Sequence, residues 1–275
     1  MQQHIMQDGA ARIRIPHPLT GHDLIDSGPS KSGRPCLHPL CSPAGIVLTE
    51  DAPAHHPWQH GIYTGLNDVN GIGFWCEGLI PDRSATDGTW AGTASRLVAE
   101  APAAWESTGA WRDPAGRTVL HETQAWRVQR CDSLLVLDLA WRLRAEPAVR
   151  FGQSEYGGLF VRMPWRAGME VDLAGSAGRG SREQLDGRPA WWLAVALPLG
   201  AEGSYAGLAL GVLAEHAPYP PAWRLDHNYG FSPSRCRGGA WSLPAGATHC
   251  ERLRLVAFDG RIDVDQLQAC FAPSS

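Results

Sequence analysis

Three histidines, two asparagines and an aspartate are concentrated in residues 55–75 of this 275-residue chain, which read HHPWQHGIYTGLNDVNGIGFW. An imidazole can donate or accept a proton, or bind a metal ion, near neutral pH. Asn and Asp side chains orient hydroxyl groups and imidazoles. Four glycines lie between these polar residues and allow backbone conformations that bring a ligand close. The composition of the stretch predicts a functional site.

The histidines in this stretch do not form the HExxH pattern of a zinc protease. His56 and His60 are four residues apart, but Pro57 lies between them and argues against a helix. In extended backbone, residues an even number apart lie on the same face. We therefore take His56 and His60 as candidates for acid/base chemistry.

The polar residues that follow are suited to a sugar ring. Asn67 and Asn70 can hold hydroxyl groups, Asp68 can orient an imidazole, and Trp75 can stack on the apolar face of a ring. The run Asn-Asp-Val-Asn-Gly is also typical of a tight turn. The two interpretations are compatible.

The segment RPCLHP at residues 34–39 adds two candidates. Arg34 can hold a carboxylate or sugar hydroxyls, or can be a surface charge. His38 precedes a proline, which favours extended backbone, and is either a structural residue or part of the site.

Later candidates lie far from this stretch in sequence. Glu155 precedes Tyr and two glycines and is a candidate general base, with Arg162 seven residues beyond; the alternative is a solvated Glu at a strand edge. His216 precedes a proline cluster that leads to Trp223, and His227 follows. Either histidine can complete the site, and His216 is favoured. We expect Arg162 and Trp223 to contact substrate.

A metal site is an alternative use of these side chains, although no cofactor is required by the sequence. No phosphate-binding loop and no GxSxG nucleophile motif is present. The available metal ligands are His38, His56, His60, Asp68, Glu155 and His216.

Composition excludes several classes of partner. The net charge of −4, without a basic run, predicts no nucleic-acid partner. No segment approaches the roughly 18 apolar residues of a membrane helix, and the N-terminus lacks a signal sequence. The seven cysteines form no CxxC pair, which indicates reduced thiols. We therefore expect a cytoplasmic protein that does not bind membranes.

Short apolar runs separated by turn residues predict an all-β fold, a single large antiparallel β-sandwich over residues 1–275. Residues 1–33 should form a strand near 11–15 and a loop at 27–33 that lead into it. Only residues 263–271, with Asp263 as N-cap, indicate a short C-terminal helix. Of the twelve tryptophans we expect about three-quarters in the core.

Several segments resemble the bacterial family described as methane oxygenase PmoA-like: RPCLHPL at 34–40, residues 55–75, and EYGGLFVRMP at 155–164. AEHAPYPPAWRLDHNYG at 214–230 and FDG at 258–260 add to the resemblance. It implies a supersandwich similar to galactose mutarotase and other aldose epimerases, and a role in sugar catabolism. This chain has Trp58, Gln59 and Leu66 where the family often has histidines, which argues against a multi-histidine metal site. The residues that fit the family pattern are His38, His56, His60, Asp68, Asn70, Glu155 and His216.

The leading hypothesis is an enzyme, an isomerase or lyase, that performs acid/base chemistry on a sugar or keto-sugar. Epimerisation, mutarotation, elimination and hydration all fit, with Glu155 or His60 as base and His56 or His216 as acid. The alternatives are a non-catalytic sugar-binding or sensing module and a metal-dependent oxygenase using a divalent metal. The oligomeric state is left open.

Overall fold

An eight-stranded antiparallel sheet forms one layer of the computed structural model, which describes residues 5–18, 20–213 and 220–272. In spatial order its strands are β1 (Met6–Asp8), β2 (Arg12–Pro16), β3 (Asp23–Pro29), β4 (Pro35–Leu40), β5 (Ile62–Leu66), β11 (Gly157–Val161), β17 (Phe231–Pro233) and β16 (Trp223–Leu225).

A nine-stranded antiparallel sheet forms the second layer. In spatial order its strands are β13 (Gly178–Arg179), β12 (Asp172–Gly175), β14 (Trp192–Leu197), β15 (Ala206–Val212), β19 (Thr248–Asp259), β9 (Leu134–Ala145), β8 (Thr118–Cys131), β7 (Ala103–Arg112) and β6 (Thr89–Glu100). The remaining elements are the paired strands β10 (Val149–Phe151) and β18 (Trp241–Leu243), the helices α1 (Arg182–Leu185), α2 (Arg235–Gly238) and α3 (Val264–Phe271), and two single 3-10 turns (Pro81–Arg83 and Ala201–Gly203).

The predicted all-β sandwich is confirmed, because one hydrophobic core contains residues of both sheets. The predicted C-terminal helix is present as α3, and the Asp263 side chain accepts a hydrogen bond from the Gln266 backbone N–H at 3.0 Å. In the described residues, no helix has the length and apolarity needed to cross a bilayer. The assignment of residues 1–275 to a single domain stays a prediction.

Some element boundaries differ from the prediction for local reasons. The loop expected at 27–33 begins later, because β3 continues to Pro29. The sequence pattern predicts one strand over residues 223–229, but β16 ends at Leu225. There Asp226 accepts hydrogen bonds from the backbone N–H groups of Asn228 and Gly230, both at 2.9 Å, and turns the chain into β17.

Eight of the twelve tryptophans are buried, close to the fraction predicted, and the other four are half-buried. The buried ones are Trp75, Trp90, Trp105, Trp111, Trp126, Trp141, Trp192 and Trp223.

Side-chain alternation along the eight-stranded sheet separates a core face from an opposite face. On β5, Ile62 and Leu66 belong to the core between the sheets, and Tyr63 points the other way into a separate aromatic cluster. On β11, Leu159 and Val161 lie in the core and Phe160 joins Tyr63. We call this second face the outer face; it also carries Cys36, His38, Arg162 and Arg224 at the same strand parity.

A buried carboxylate joins the two sheets behind the outer face. Glu122 of β8 accepts hydrogen bonds from Trp111 Nε1 at 2.8 Å, Trp141 Nε1 at 2.7 Å and Gln124 Nε2 at 3.0 Å. The hydroxyl of Thr64, on β5, donates to the same carboxylate at 2.5 Å. Four donors on one buried acceptor fix β5 against β8.

Replacing Glu122 with glutamine is expected to lower the free energy of unfolding by about 1–3 kcal/mol, because one buried donor then faces an amide NH₂ instead of an acceptor. Urea denaturation followed by tryptophan fluorescence measures the loss. The matched control is Glu106→Gln at a more exposed ion pair with Arg96 on β6, which should change stability by less than about 1 kcal/mol. Equal effects of the two substitutions would contradict the role given to Glu122.

Candidate functional site

Aromatic side chains from β5, β11 and the loop after β5 pack together on the outer face. The ring of Trp75 lies 5.5 Å from that of Tyr63, 5.3 Å from Phe160 and 4.9 Å from Tyr156. Trp58, from the loop before β5, is half-buried against the same cluster. The predicted stretch 55–75 therefore does fold over one sheet face.

A glycine lets the chain enter β5 next to β4. Gly61 has φ +61°, and a Cβ at this position would collide with the carbonyl oxygen of Leu37. The backbone N–H of Gly61 donates to the carbonyl of Glu50 at 2.8 Å. This geometry sets the neighbouring His60 side chain against the outer face.

A chain of charged side chains runs from the interior to the surface beside this cluster. Arg34 Nε lies 2.5 Å from Glu77 Oε1, and Glu77 Oε2 lies 3.2 Å from His60 Nε2. His60 Nδ1 lies 2.8 Å from Asp51 Oδ1. The side chains of Arg34 and Glu77 are 0% and 1% exposed, and that of Asp51 is 43% exposed. Ser32 also donates its hydroxyl to Glu77.

Arg34 is held on every side by the protein. Its Nη2 donates to the carbonyl oxygens of Phe74 at 2.7 Å and Trp75 at 2.9 Å. Its guanidinium lies over the rings of Tyr63 and Trp90, 4.6 and 4.2 Å from their centroids. In this structure Arg34 neutralises Glu77 and does not reach the surface where the sequence analysis expected it to bind substrate.

The two carboxylates favour the protonated form of His60. Burial lowers the pKa of His60, but the hydrogen bonds to Asp51 and Glu77 outweigh burial and raise the pKa above its ordinary value. Burial raises the pKa of Glu77, because it disfavours the charged carboxylate. Arg34 and His60 have the larger effect and hold the pKa of Glu77 below 4.5. The His60 hydrogen bond is the main cause of the lowered pKa of Asp51. His60 therefore lies between two carboxylates that stabilise its charged form.

Stability should depend on pH through His60. Because its folded pKa is raised, its contribution is complete below the unfolded value of about 6.5 and is lost as pH rises through the folded pKa. We expect the free energy of unfolding to fall as the pH rises above 6.5, and His60→Gln to remove this fall. Urea denaturation across this pH range measures both, with exposed His22→Gln as control. An unchanged pH dependence in His60→Gln would contradict the assignment.

Arg162 fixes the loop that carries the histidines. It is fully buried, and its Nε donates to Glu50 Oε2 at 3.1 Å and its Nη1 to Gln59 Oε1 at 3.3 Å. Its Nη2 lies 3.0 Å from His55 Nε2. These contacts make Arg162 an anchor of residues 50–59 instead of the substrate contact that we expected.

His56 is in the opposite electrostatic state from His60. Its ring is half-buried and makes edge contacts with Trp58 at 5.4 Å and His55 at 4.9 Å. Burial first, then His55 and Arg162, lower the pKa of His56. Its Nδ1 has no hydrogen-bond partner in the described ranges. The Nδ1 atom is itself buried. The lowered pKa keeps the His56 imidazole uncharged at neutral pH.

His38 is a second uncharged imidazole on the outer face. Its Nδ1 lies 3.0 Å from the Thr49 hydroxyl, and burial lowers its pKa. The ring is half-buried.

The predicted base Glu155 lies at the other edge of the aromatic cluster. Its side chain is 62% exposed and pairs with Arg224 Nη1 at 3.5 Å. Arg224 also donates to the Tyr156 hydroxyl at 3.1 Å and lies over that ring at 4.8 Å. Asp186 Oδ2 lies 3.2 Å from Arg224 Nη1, so Arg224 forms ion pairs with two carboxylates.

The polar residues after β5 form the predicted turn. Asp68 Oδ1 accepts from the Gly71 backbone N–H at 2.8 Å, and Asn70 Oδ1 accepts from the Arg150 N–H at 2.8 Å. Asn67 Nδ2 donates to the Ser154 hydroxyl at 2.9 Å. These bonds tie the turn to the segment around β10.

The last two candidates are Trp223 and His216. Trp223 is fully buried in the core and not on the outer face, and its Nε1 donates to the Ala190 carbonyl at 2.7 Å. His216 lies outside the described residues.

Three carboxylates of this face were not predicted from the sequence: Asp51, Glu77 and Asp226. Asp226 is 5% exposed and acts electrostatically on His56, Tyr63 and Tyr156. Acidic residues beside the 55–75 stretch were the available signal, because imidazoles in sites are commonly paired with carboxylates.

Among the described residues, the candidates for the alternative metal site do not converge. Both nitrogens of His60 are engaged by carboxylates, Asp68 caps a turn, and Glu155 pairs with Arg224. Within residues 5–18, 20–213 and 220–272, no group of three or more His, Cys, Asp or Glu side chains is arranged to hold a metal ion.

A family model described as "Family of unknown function (DUF6807)" matches residues 11–272, a description that differs from the expected PmoA-like label. No curated protein sequence matches the chain.

Three solved structures show distant similarity. A galactose mutarotase related enzyme from Lactobacillus acidophilus has 7% identity and a TM-score of 0.42, with 95% of this chain and 99% of that chain covered. A GH36 alpha-galactosidase from Geobacillus stearothermophilus has 9% identity and a TM-score of 0.45, with 94% of this chain and 41% of that one covered. An alpha-galactosidase from Lactobacillus brevis has 12% identity and a TM-score of 0.38, with 94% and 40% covered.

Proposed function

This chain belongs to DUF6807, a family of unknown function, and we propose that it is a carbohydrate-active enzyme performing acid/base chemistry on a sugar or keto-sugar. The reaction is an isomerisation, such as epimerisation or mutarotation, or a lyase-type elimination or hydration. The partner is a small-molecule carbohydrate in the cytoplasm.

One observation supports this proposal above the others. The outer face presents two imidazoles whose environments push their pKa values in opposite directions, beside a cluster of aromatic rings. Groups with pKa values pushed apart are suited to act as an acid and a base at the same pH. Aromatic rings offer the apolar surface on which a sugar ring stacks.

The directions of the shifts assign the roles. His56, uncharged and half-buried, is the base that removes a proton beside a carbonyl or from a hemiacetal hydroxyl. His60 supplies the proton, which passes from Nδ1 to Asp51 Oδ1 and on to the sugar oxygen, because Asp51 is the exposed end of the charged chain. The sequence-based hypothesis gave Glu155 or His60 as base and His56 or His216 as acid, so the present assignment reverses the roles of the two histidines.

The half-buried rings of Trp58 and Tyr156 offer the stacking surface. Trp75 is only 4% exposed and packs beneath this surface, with its ring 4.9 Å from that of Tyr156. Arg224 and Glu155, at the edge of Tyr156, are placed to hold hydroxyl groups.

The test is proton NMR in deuterated buffer with a panel of aldoses and keto-sugars. We expect loss of a C–H signal beside a carbonyl, faster exchange between anomers, or a new product, and a strong reduction of each in Asp51→Asn. The proposal is contradicted if the folded protein leaves every sugar exchanging at the uncatalysed rate measured in buffer without protein.

A second candidate, a non-catalytic sugar-binding module, is favoured by the burial of His60, which is 4% exposed with both nitrogens bonded. Such a residue stabilises a binding face without transferring protons. Saturation transfer from the protein to a sugar, without exchange or turnover, would select this candidate.

A further inference from the structure

A cavity lies away from the outer face. Its volume is about 570 Å³, within the range of small-molecule sites. It opens between the end of β17, α2, β18 and β19, and its lining includes Ser234, Arg235, Trp241, His249, Glu251 and Arg252. We propose that this cavity binds a small organic molecule that carries a carboxylate or phosphate group.

The charges around the cavity favour an anion. Arg235 and Arg252 both line it, and neither forms an ion pair with a carboxylate within the described part of the chain. Arg235 Nη1 lies 3.5 Å from His249 Nδ1. The lining carboxylate, Glu251, is engaged by His249 Nε2 at 3.1 Å. Arginine guanidinium groups recognise carboxylate and phosphate oxygens through paired N–H donors.

A buried hydroxyl points to the same ligand chemistry. Ser234 is 0% exposed and lines the cavity, and its Oγ has no hydrogen-bond partner among the described residues. It stands at the N-cap position of α2 but makes no capping bond. A buried hydroxyl without a partner costs free energy, which an acceptor oxygen on a ligand would recover.

The wall beside these groups has room for a ligand but not a stacking surface. A Cβ placed on Gly238 or Gly239 would meet no atom within 4 Å. Trp241 is covered on both sides, by Phe151 at 3.9 Å and by the Arg235 guanidinium at 4.2 Å. The cavity therefore recognises its ligand by charge, in contrast to the aromatic outer face, and this inference does not depend on the proposed function.

The test is calorimetric titration with three probes that differ in one group: glycerol 3-phosphate, glycerate and glycerol. We expect glycerol 3-phosphate or glycerate to bind and glycerol not to bind. The anionic probe that binds more tightly identifies the group that the cavity recognises. Arg252→Gln should raise the dissociation constant about tenfold, as expected for the loss of one charge-assisted contact. Arg235→Gln should do the same.

Arg96→Gln is the matched control, because it removes the same charge from an exposed ion pair on β6. His56→Gln should also bind normally, which separates this cavity from the outer face. Failure of both anionic probes to bind, or equal weakening by Arg252→Gln and Arg96→Gln, would overturn the proposal.

Discussion

Replacing Glu77 with alanine is expected to lower the free energy of unfolding by about 3–5 kcal/mol, the cost of removing one partner of a buried ion pair. The substitution leaves the guanidinium of Arg34 with no carboxylate partner in a site where it is 0% exposed. It also removes one of the two carboxylates that hold His60. Urea denaturation at pH 7, followed by tryptophan fluorescence, measures the change.

Two further variants make this prediction specific. Glu170→Ala removes a carboxylate from an exposed pair with Arg261 and should cost less than about 1 kcal/mol. Combining Arg34→Met with Glu77→Leu removes both buried charges, so the double variant should be less destabilised than the sum of its single variants. A loss below 1 kcal/mol for Glu77→Ala would show that the ion pair is not buried in solution.

The second large effect is on turnover. His56→Gln is expected to lower kcat by about 10²- to 10⁴-fold on any sugar that the wild-type protein converts, because the amide cannot accept the proton. Its ring is half-buried and contacts Trp58 by an edge, so the fold should survive the substitution. Turnover is measured by the NMR exchange assay, with circular dichroism to confirm folding.

A pH profile separates catalysis from packing. The wild-type rate should fall as pH drops and His56 becomes protonated, and this acid limb should disappear in the residual activity of His56→Gln. His121→Gln, an exposed histidine paired with Glu146, serves as control and should keep full turnover. A folded His56→Gln protein with wild-type turnover would exclude the role of base.

The fold was predictable because its signals are local. Alternation of apolar residues marks strands such as β8 and β9 with the short turn between them, and Asp263 marks the start of α3. The density of polar residues and glycines in residues 55–75 likewise located the site region.

The partners within the site were not predictable, because they depend on contacts between distant residues. Arg34 and Glu77 are 43 positions apart, and nothing in either neighbourhood indicates that they form a buried pair. From the sequence we predicted that Arg34 contacts a ligand, because a guanidinium without a known partner is usually exposed. Trp223 shows the same limit, since strand register alone decides which face a tryptophan occupies.

The exchange of roles between the two histidines has the same origin. His56 and His60 are four residues apart in one loop, and their sequence neighbourhoods do not distinguish them. Their pKa values diverge because Asp51 and Glu77 surround one ring, while burial and nearby cations act on the other.

The most direct test of acid/base pairing on the outer face is an NMR titration of the imidazole signals, assigned with His56→Gln and His60→Gln. We predict that His60 titrates above pH 6.5 and His56 below it, so that between these values one ring is charged and the other is not. Titration of both rings at the same pH, or in the reverse order, would contradict the central claim.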